Sequence, residues 1–279
     1  KRQDLSHAGR IGNYITANGS DDLRFEVRQG DRLRLRFVNT ATARIFRLRL
    51  KGLRGWLAAL DGMPLKTLTE TGEVLIGPAQ RADLFVDVTA ESGEEAYVAS
   101  VERDGTYAVA SFSISGSAQG ARPAPLPLPS NPMPDLSIVE ARSLPMLMEG
   151  GAMRGMEGAT WKGERMDMRQ LVQAGQFWAF NGMAGMSETP FVEAALGEVI
   201  RVPTTNRTAF PHAMHLHGMH SREVLADGSL GPWRDTFLVN PDETREIAFV
   251  AENPGDWMFH CHMLSHQKSG MMTWIRVVG

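Results

Sequence analysis

"DRLRLRFVN", residues 31–39, decides the fold class. Leu33, Leu35 and Phe37 alternate with Arg32, Arg34 and Arg36, which is the period-2 signature of a strand with one buried and one solvated face. Outward from it, "LFVDV" (84–88), "TYAVASFSI" (106–114), "REIAFV" (245–250) and "TWIRVV" (273–278) recur between Gly, Pro, Asn and Asp turns, and no long stretch shows a helical period. The expectation is an all-β protein made of sandwiches. "ARPAPLPLPSNPMP" (121–134) lacks the amide donors a strand needs and reads as extended linker. The organisation expected is a domain over 1–120, a Pro- then Met-rich linker over 121–170, and a second domain over 171–279.

The two halves carry one pattern twice. Glu26, Gly30, Asp31, Arg34 and Asn39 keep the spacing of Glu193, Gly197, Glu198, Arg201 and Asn206. With one residue of slippage, "FRLRLKG" (46–52) falls on "HAMHLHG" (212–218), and "GEEAYVAS" (93–100) falls on "GDWMFHCH" (255–262). What differs is the chemistry. Phe46, Arg49 and Lys51 stand where the second copy has His212, His215 and His217, and Val98, Ala99 and Ser100 stand where it has His260, Cys261 and His262.

Composition bounds the rest. The chain has 279 residues, 43% hydrophobic and 22% charged, with a net charge of -3. No apolar run is long enough to span a membrane, and no block of like charge suggests nucleic-acid binding. The chain starts at Lys1 without an initiator Met or signal peptide, so it reads as a processed or truncated product. Of 8 histidines, all but His7 lie from position 212 onward, around the single cysteine, Cys261. Such clustering points to metal.

Strand parity sorts these residues. Neighbours on a strand point to opposite faces, so His260 and His262 oppose Cys261, while His215 and His217 oppose His212. One face collects Cys261, His212 and His266, with Met271 ten residues past the Cys as the candidate fourth group and Met272 beside it. A thiolate, two imidazoles and a thioether are the ligand set of a blue-copper electron-transfer centre. The other face collects His215, His217, His260 and His262, which suit copper with open positions for oxygen chemistry. Cys261 and its flanking histidines join both sites, a covalent route for electrons.

"HAMHLHG" together with "HCHMLSHQKSGMM" (260–272) resembles the two C-terminal copper motifs of the multicopper oxidases, in particular the bacterial laccase-like and copper-resistance members. With "GDRLRLRFVN" (30–39) the likeness covers most of the chain as the second and third cupredoxin domains, Greek-key β-sandwiches. It implies type 1 copper on His212, Cys261, His266 and Met271, type 2 copper on His215, and a type 3 pair on His217, His260 and His262. It implies a substrate, phenolic or Cu(I), oxidised at the type 1 site, dioxygen as the electron acceptor, and a periplasmic or extracellular location. The departure is equally clear: the family's trinuclear cluster draws on eight histidines in four His-X-His pairs, and this chain has "HLH" and "HCH" only. His7 and His220 are isolated. The expectation is therefore a chain that lacks its N-terminal cupredoxin domain and is inactive alone.

Met146, Met148, Met153, Met156, Met166 and Met168 lie in a Gly-rich stretch followed by Met183 and Met186. Flanking glycines and charges suggest exposure, and exposed thioethers are soft ligands for Cu(I). Two other readings remain open: a non-enzymatic copper-binding or copper-tolerance protein, and a copper nitrite reductase. The latter has a histidine on only one side of its type 1 Cys, so His262 argues against it. Asn206 heads an Asn-X-Thr sequon but reads as a turn residue, and Asp235 in "GPWRDTF" is a candidate for orienting a ligand.

Overall fold

The arginine-alternating stretch becomes the second strand of a sandwich in the computed structural model, which describes residues 1–118, 120 and 122–279. One unit, Gly12–Thr40 with Ile45–Asn131, is built from β1 (Arg24–Gln29), β2 (Arg32–Val38), β3 (Phe46–Lys51), β4 (Leu53–Leu60), β5 (Met63–Thr71), β6 (Glu73–Ile76), β7 (Arg81–Val88), β8 (Glu95–Glu102) and β9 (Gly105–Ser117). Its sheets run β1-β9-β8-β3-β6 and β2-β7-β4-β5. Leu33, Leu35 and Phe37 pack on a core that includes Leu84, Val86 and Phe112. The arginines turn outward, where Arg32 makes a two-pronged ion pair with Asp87 at 2.6 and 2.7 Å. The period-2 pattern works because the apolar half buries surface while the charged half stays hydrated or paired.

The other unit comprises Lys1–Ile11, Ala41–Arg44 and Pro132–Gly279. It contains β10 (Arg142–Ser143), β11 (Met146–Gly150), β12 (Gly158–Trp161), β13 (Glu164–Asp167), β14 (Trp178–Phe180), β15 (Val192–Ala195), β16 (Val199–Asn206), β17 (His212–Leu216), β18 (Ser221–Val224), β19 (Leu230–Arg234), β20 (Thr236–Val239), β21 (Thr244–Val250), β22 (Gly255–Cys261) and β23 (Met272–Val278), with short helices α1 (Arg2–Ser6), α2 (Met168–Gln173) and α3 (Leu264–Lys268). Its sheets run β15-β23-β22-β17-β20 and β14-β11-β16-β21-β18-β19.

The repeat read from the sequence reappears strand for strand. The order β15-β23-β22-β17-β20 matches β1-β9-β8-β3-β6, and β16-β21-β18-β19 matches β2-β7-β4-β5. In both copies the first of these pairs is parallel. The shared residues do the same work in each. Gly30 and Gly197 turn the chain at φ +84 and +83, values that glycine adopts without a Cβ clash. The amides of Asn39 and Asn206 donate to the carbonyls of Ile76 and Val239 on the corresponding strands β6 and β20.

The expected boundaries differ from this division. The boundary between 120 and 121 falls beside Gln119 and Ala121, which lie outside the described residues. Residues 1–11 and 41–44 belong with the C-terminal unit, not with 12–131. Within the expected linker, 121–170, residues 142–167 carry β10 to β13, and β11 pairs with β14 and β16. The Met-rich stretch is accordingly not uniformly exposed. Met146 and Met148 are core at 1% and 0% exposure, whereas Met153 stands out at 85% and Met186 at 46%. Among the described residues no helix is long and apolar enough to cross a membrane.

Candidate metal centres

β17 and β22 are adjacent antiparallel strands with Met214 opposite Cys261 and His215 opposite His260. This register brings the two histidine motifs together, and strand alternation then divides them. His212, at the start of β17, Cys261, at the end of β22, and His266, on α3, converge with ligand atoms within 4.8 Å of one another. All three are 0% exposed. Cys261 Sγ lies 3.7 Å from His212 Nδ1 and 3.8 Å from His266 Nδ1, and the two nitrogens are 3.1 Å apart.

The hydrogen-bond partners fix what these atoms offer. His266 Nε2 faces the His7 carbonyl at 2.6 Å, an acceptor only, so Nε2 carries the proton and Nδ1 is left with its lone pair. The Thr208 hydroxyl lies 2.8 Å from Asn206 Oδ1 and 3.0 Å from the Phe210 carbonyl, both acceptors. Its proton goes to one of them, and it accepts from His212 Nε2 at 2.7 Å. Two imidazole lone pairs thus face each other and a thiol in a site closed to water. Burial holds His212 well below its ordinary pKa and His266 at about 4, and raises the Cys261 thiol to about 12. Two imidazole lone pairs with a single thiol proton to share leave donor capacity that a cation satisfies, and binding one displaces that proton. Sulfur with two imidazoles is a soft, mixed set that fits copper.

Met271 is 0% exposed and tied by backbone to this cluster: the Cys261 amide donates to its carbonyl at 3.1 Å, and its own amide donates to the His266 carbonyl at 3.0 Å.

His215, His217, His260 and His262 gather on the opposite side of the same strands. Ring centroids are 4.5 Å apart for His215 and His217, 5.1 Å for His217 and His260, and 5.6 Å for His215 and His262 and for His260 and His262. His260 donates from Nδ1 to the Cys261 carbonyl at 2.9 Å, which turns its Nε2 toward His217 Nε2, 3.0 Å away. His215 donates from Nδ1 to the Asp235 carbonyl at 3.1 Å, with Thr236 Oγ1 at 2.9 Å. Desolvation first, then repulsion from the other rings, lowers His217 and holds His260 at about 4. His212 and His266 present Nδ1, because the Thr208 hydroxyl and the His7 carbonyl hold their Nε2 sides, whereas His215 and His260 present Nε2, because backbone carbonyls hold their Nδ1 sides.

Several contributors escaped the sequence reading. Thr208 was legible only as part of the Asn206 turn, a role it does fill: its amide donates to Asn206 Oδ1 at 2.9 Å. Trp178, 0% exposed, lies 4.5 Å from the His266 ring and 5.2 Å from the His212 ring. The His7 ring joins neither histidine cluster, but its backbone oxygen accepts from His266 Nε2. The "GPWRDTF" segment forms β19 and β20, and Asp235 between them orients His215 through its carbonyl.

Two family models described as multicopper oxidase match residues 5–117 and 160–278. Multicopper oxidase MmcO of Mycobacterium tuberculosis is 32% identical over 264 residues, covering 89% of this chain and 47% of that protein. Multicopper oxidase mco of Staphylococcus haemolyticus is 24% identical, covering 96% and 53%. Among solved structures, a multicopper oxidase from Pseudomonas thermotolerans superposes with a TM-score of 0.80 at 26% identity, over 99% of this chain and 62% of that one. Lac15 from a marine microbial metagenome gives 0.68 at 36% identity, over 91% and 56%. The chain spans about half the length of the curated relatives it matches. With both halves matched to the same family, the chain belongs to the multicopper oxidases, oxidoreductases that bind copper.

Proposed function

We propose that this chain is the electron-accepting and electron-relaying part of an oxidase that removes single electrons from a phenolic donor or Cu(I) and delivers them to dioxygen. The observation that carries the reading is the placement of Cys261 in one cluster while His260 and His262, its direct neighbours, stand in the other. His212, Cys261 and His266, with Met271 as the axial group, would hold the type 1 copper; His215 would hold type 2, and His217, His260 and His262 would serve the type 3 pair. Copper, when bound, supplies one-electron oxidation of the donor at the first cluster and reduction of dioxygen to water at the second.

The chain's own residues make the two clusters unlike. Complete burial excludes water from the Cys261 cluster, so little solvent reorganises when charge changes there. The peptide from Cys261 to His260, reinforced by the His260 Nδ1 hydrogen bond to the Cys261 carbonyl, connects it to the imidazole cluster. His215, His217 and His262 are only part-buried, which leaves room for dioxygen and for ligands from elsewhere. Four imidazoles are half of what the family's trinuclear cluster uses. We therefore assign the other half to a further cupredoxin domain and expect the chain alone to lack sustained turnover. Location outside the cytoplasm, in the periplasm or extracellular space, belongs to the same proposal. Similarity to copper resistance protein A of Pseudomonas syringae, 33% over 100 residues, together with the exposed Met153 and Met186, favours Cu(I) as the donor.

The test is oxygen uptake with a phenol and with Cu(I), measured on the copper-loaded chain and on the chain joined to a cupredoxin domain bearing two further His-X-His pairs. Sustained uptake only in the joined protein is expected. Equal uptake by the chain alone would refute the division of ligands.

A further inference from the structure

The segment ahead of the first sandwich is bound to the Cys261 cluster through successive carbonyl groups. Leu5 O accepts from Trp178 Nε1 at 2.6 Å and lies 3.1 Å from Ser269 Oγ, whose one proton it shares with the Ser265 carbonyl at 2.6 Å. Ser6 O accepts from the Ala152 amide at 2.6 Å. His7 O accepts from His266 Nε2 at 2.6 Å. The His7 ring packs on Phe210 at 5.9 Å, Phe210 meets Trp178 edge-on at 6.1 Å, and Trp178 lies against both His212 and His266. Gly9 closes the segment against the body: a Cβ there would fall 2.5 Å from Ala43 Cβ and 3.1 Å from Ser265 Oγ, at a φ of +80. The carbonyls of Leu5, Ser6 and His7 lie at the C-terminal end of α1, where no further helical amide follows to pair them, and those of Leu5 and His7 are taken by Trp178, which packs on both imidazoles, and by His266 itself.

We propose that Leu5–His7 is the positioning element of the Cys261 cluster, with the His7 carbonyl holding His266 as its Nε2–H tautomer so that Nδ1 faces the Cys261 sulfur. The proposal rests on the copper reading of that cluster but makes a statement about the chain without metal as well. A ring nitrogen that donates to a fixed carbonyl cannot rotate or exchange tautomers freely, so the ligand atom is aimed before copper arrives. His212 has the equivalent support from a side chain, Thr208. His266 takes it from backbone, and position therefore matters more than residue type at His7.

Two variants disturb the segment without altering a ligand: Gly9→Ala, which forces the chain off Ala43, and Trp178→Phe, which removes the indole N–H from Leu5 O while keeping an aromatic ring. Nitrogen NMR of the metal-free chain reads the His266 tautomer directly. The unaltered chain should show one slowly exchanging Nε2–H at His266, and both variants should show faster exchange or a mixed tautomer. Copper titration should show at least about tenfold weaker binding in each, with a shifted visible band and reduction potential. An unaltered chain without the protected Nε2–H, or variants that keep tautomer, affinity and spectrum unchanged, would overturn the proposal. If the unaltered chain shows the protected Nε2–H but takes up no copper, it is the copper reading of the cluster that fails, and the tautomer result still decides the role of Leu5–His7.

Discussion

Replacing Thr208 by valine tests how the Cys261 cluster is held. The hydroxyl is buried and serves several partners at once: it donates to Asn206 Oδ1 or the Phe210 carbonyl, and it accepts from His212 Nε2 at 2.7 Å and from the Phe210 amide at 3.3 Å. Thr208→Val keeps the shape and deletes the oxygen. His212, 0% exposed, then holds a buried N–H with no acceptor, at a cost of about 1–3 kcal/mol. Thr208→Ser keeps the oxygen and loses one methyl group, about 0.8 kcal/mol by burial. Urea unfolding of the metal-free chain should therefore rank valine well below serine, by roughly 1–2 kcal/mol. Copper affinity should fall about 10–100-fold for valine and little for serine, since only valine releases the His212 tautomer. Equal stability and equal copper affinity in the two variants would show that the hydroxyl does not orient His212, and the argument from the facing Nδ1 lone pairs would fail with it.

Further outcomes follow from the same geometry. Burial holds His260 and His266 at about 4, against roughly 6.5 for an unfolded histidine, so the unfolded chain takes up these protons first. The metal-free chain should lose stability as pH falls from about 6.5 toward 4, each histidine contributing up to about 1.4 kcal/mol per pH unit, and a urea midpoint that stays level over that range would contradict it. Gly218→Ala should destabilise by about 2 kcal/mol or more, because φ is +77 and the new Cβ would lie 2.1 Å from the Trp257 ring; thermal melting within a degree of the parent would refute this. The unit holding β1 to β9 should bind no stoichiometric copper, since Arg49 and Lys51 occupy the ligand positions of His215 and His217. Equilibrium dialysis of the chain with His212, Cys261 and His266 all replaced by alanine, together with the four imidazoles of the second cluster, checks that.

The β architecture was legible because its signal is residue type at fixed spacing. Arg32 to Phe37 show which face is buried, and the Gly30 and Gly197 turns mark the start of the same strand in each copy. The division of the histidines was legible for the same reason, since parity on β17 and β22 depends only on counting. β11 was missed although Met146 and Met148 alternate with Leu147 and Glu149. Its run is five residues long, between Pro145 and the Gly150–Gly151 pair, and its strand character comes from pairing with β14 and β16. The attachment of residues 1–11 to the C-terminal unit was not readable at all. Its hydrogen bonds use the carbonyls of Leu5, Ser6 and His7, which every residue type possesses. Thr208 lies between these cases: the turn it makes with Asn206 has a sequence signature, while its contact with His212 depends on where that turn sits.

Visible absorption of the copper-loaded chain, beside that of Cys261→Ser, tests the central claim that one strand carries the sulfur ligand of one centre and the imidazoles of another. The account predicts an intense blue band from thiolate-to-copper charge transfer in the unaltered chain. In the serine variant the band should be absent, because no second thiol exists, while copper bound by His215, His217, His260 and His262 should remain detectable by metal analysis. Blue colour surviving in Cys261→Ser, or its absence from a fully loaded unaltered chain, would contradict it.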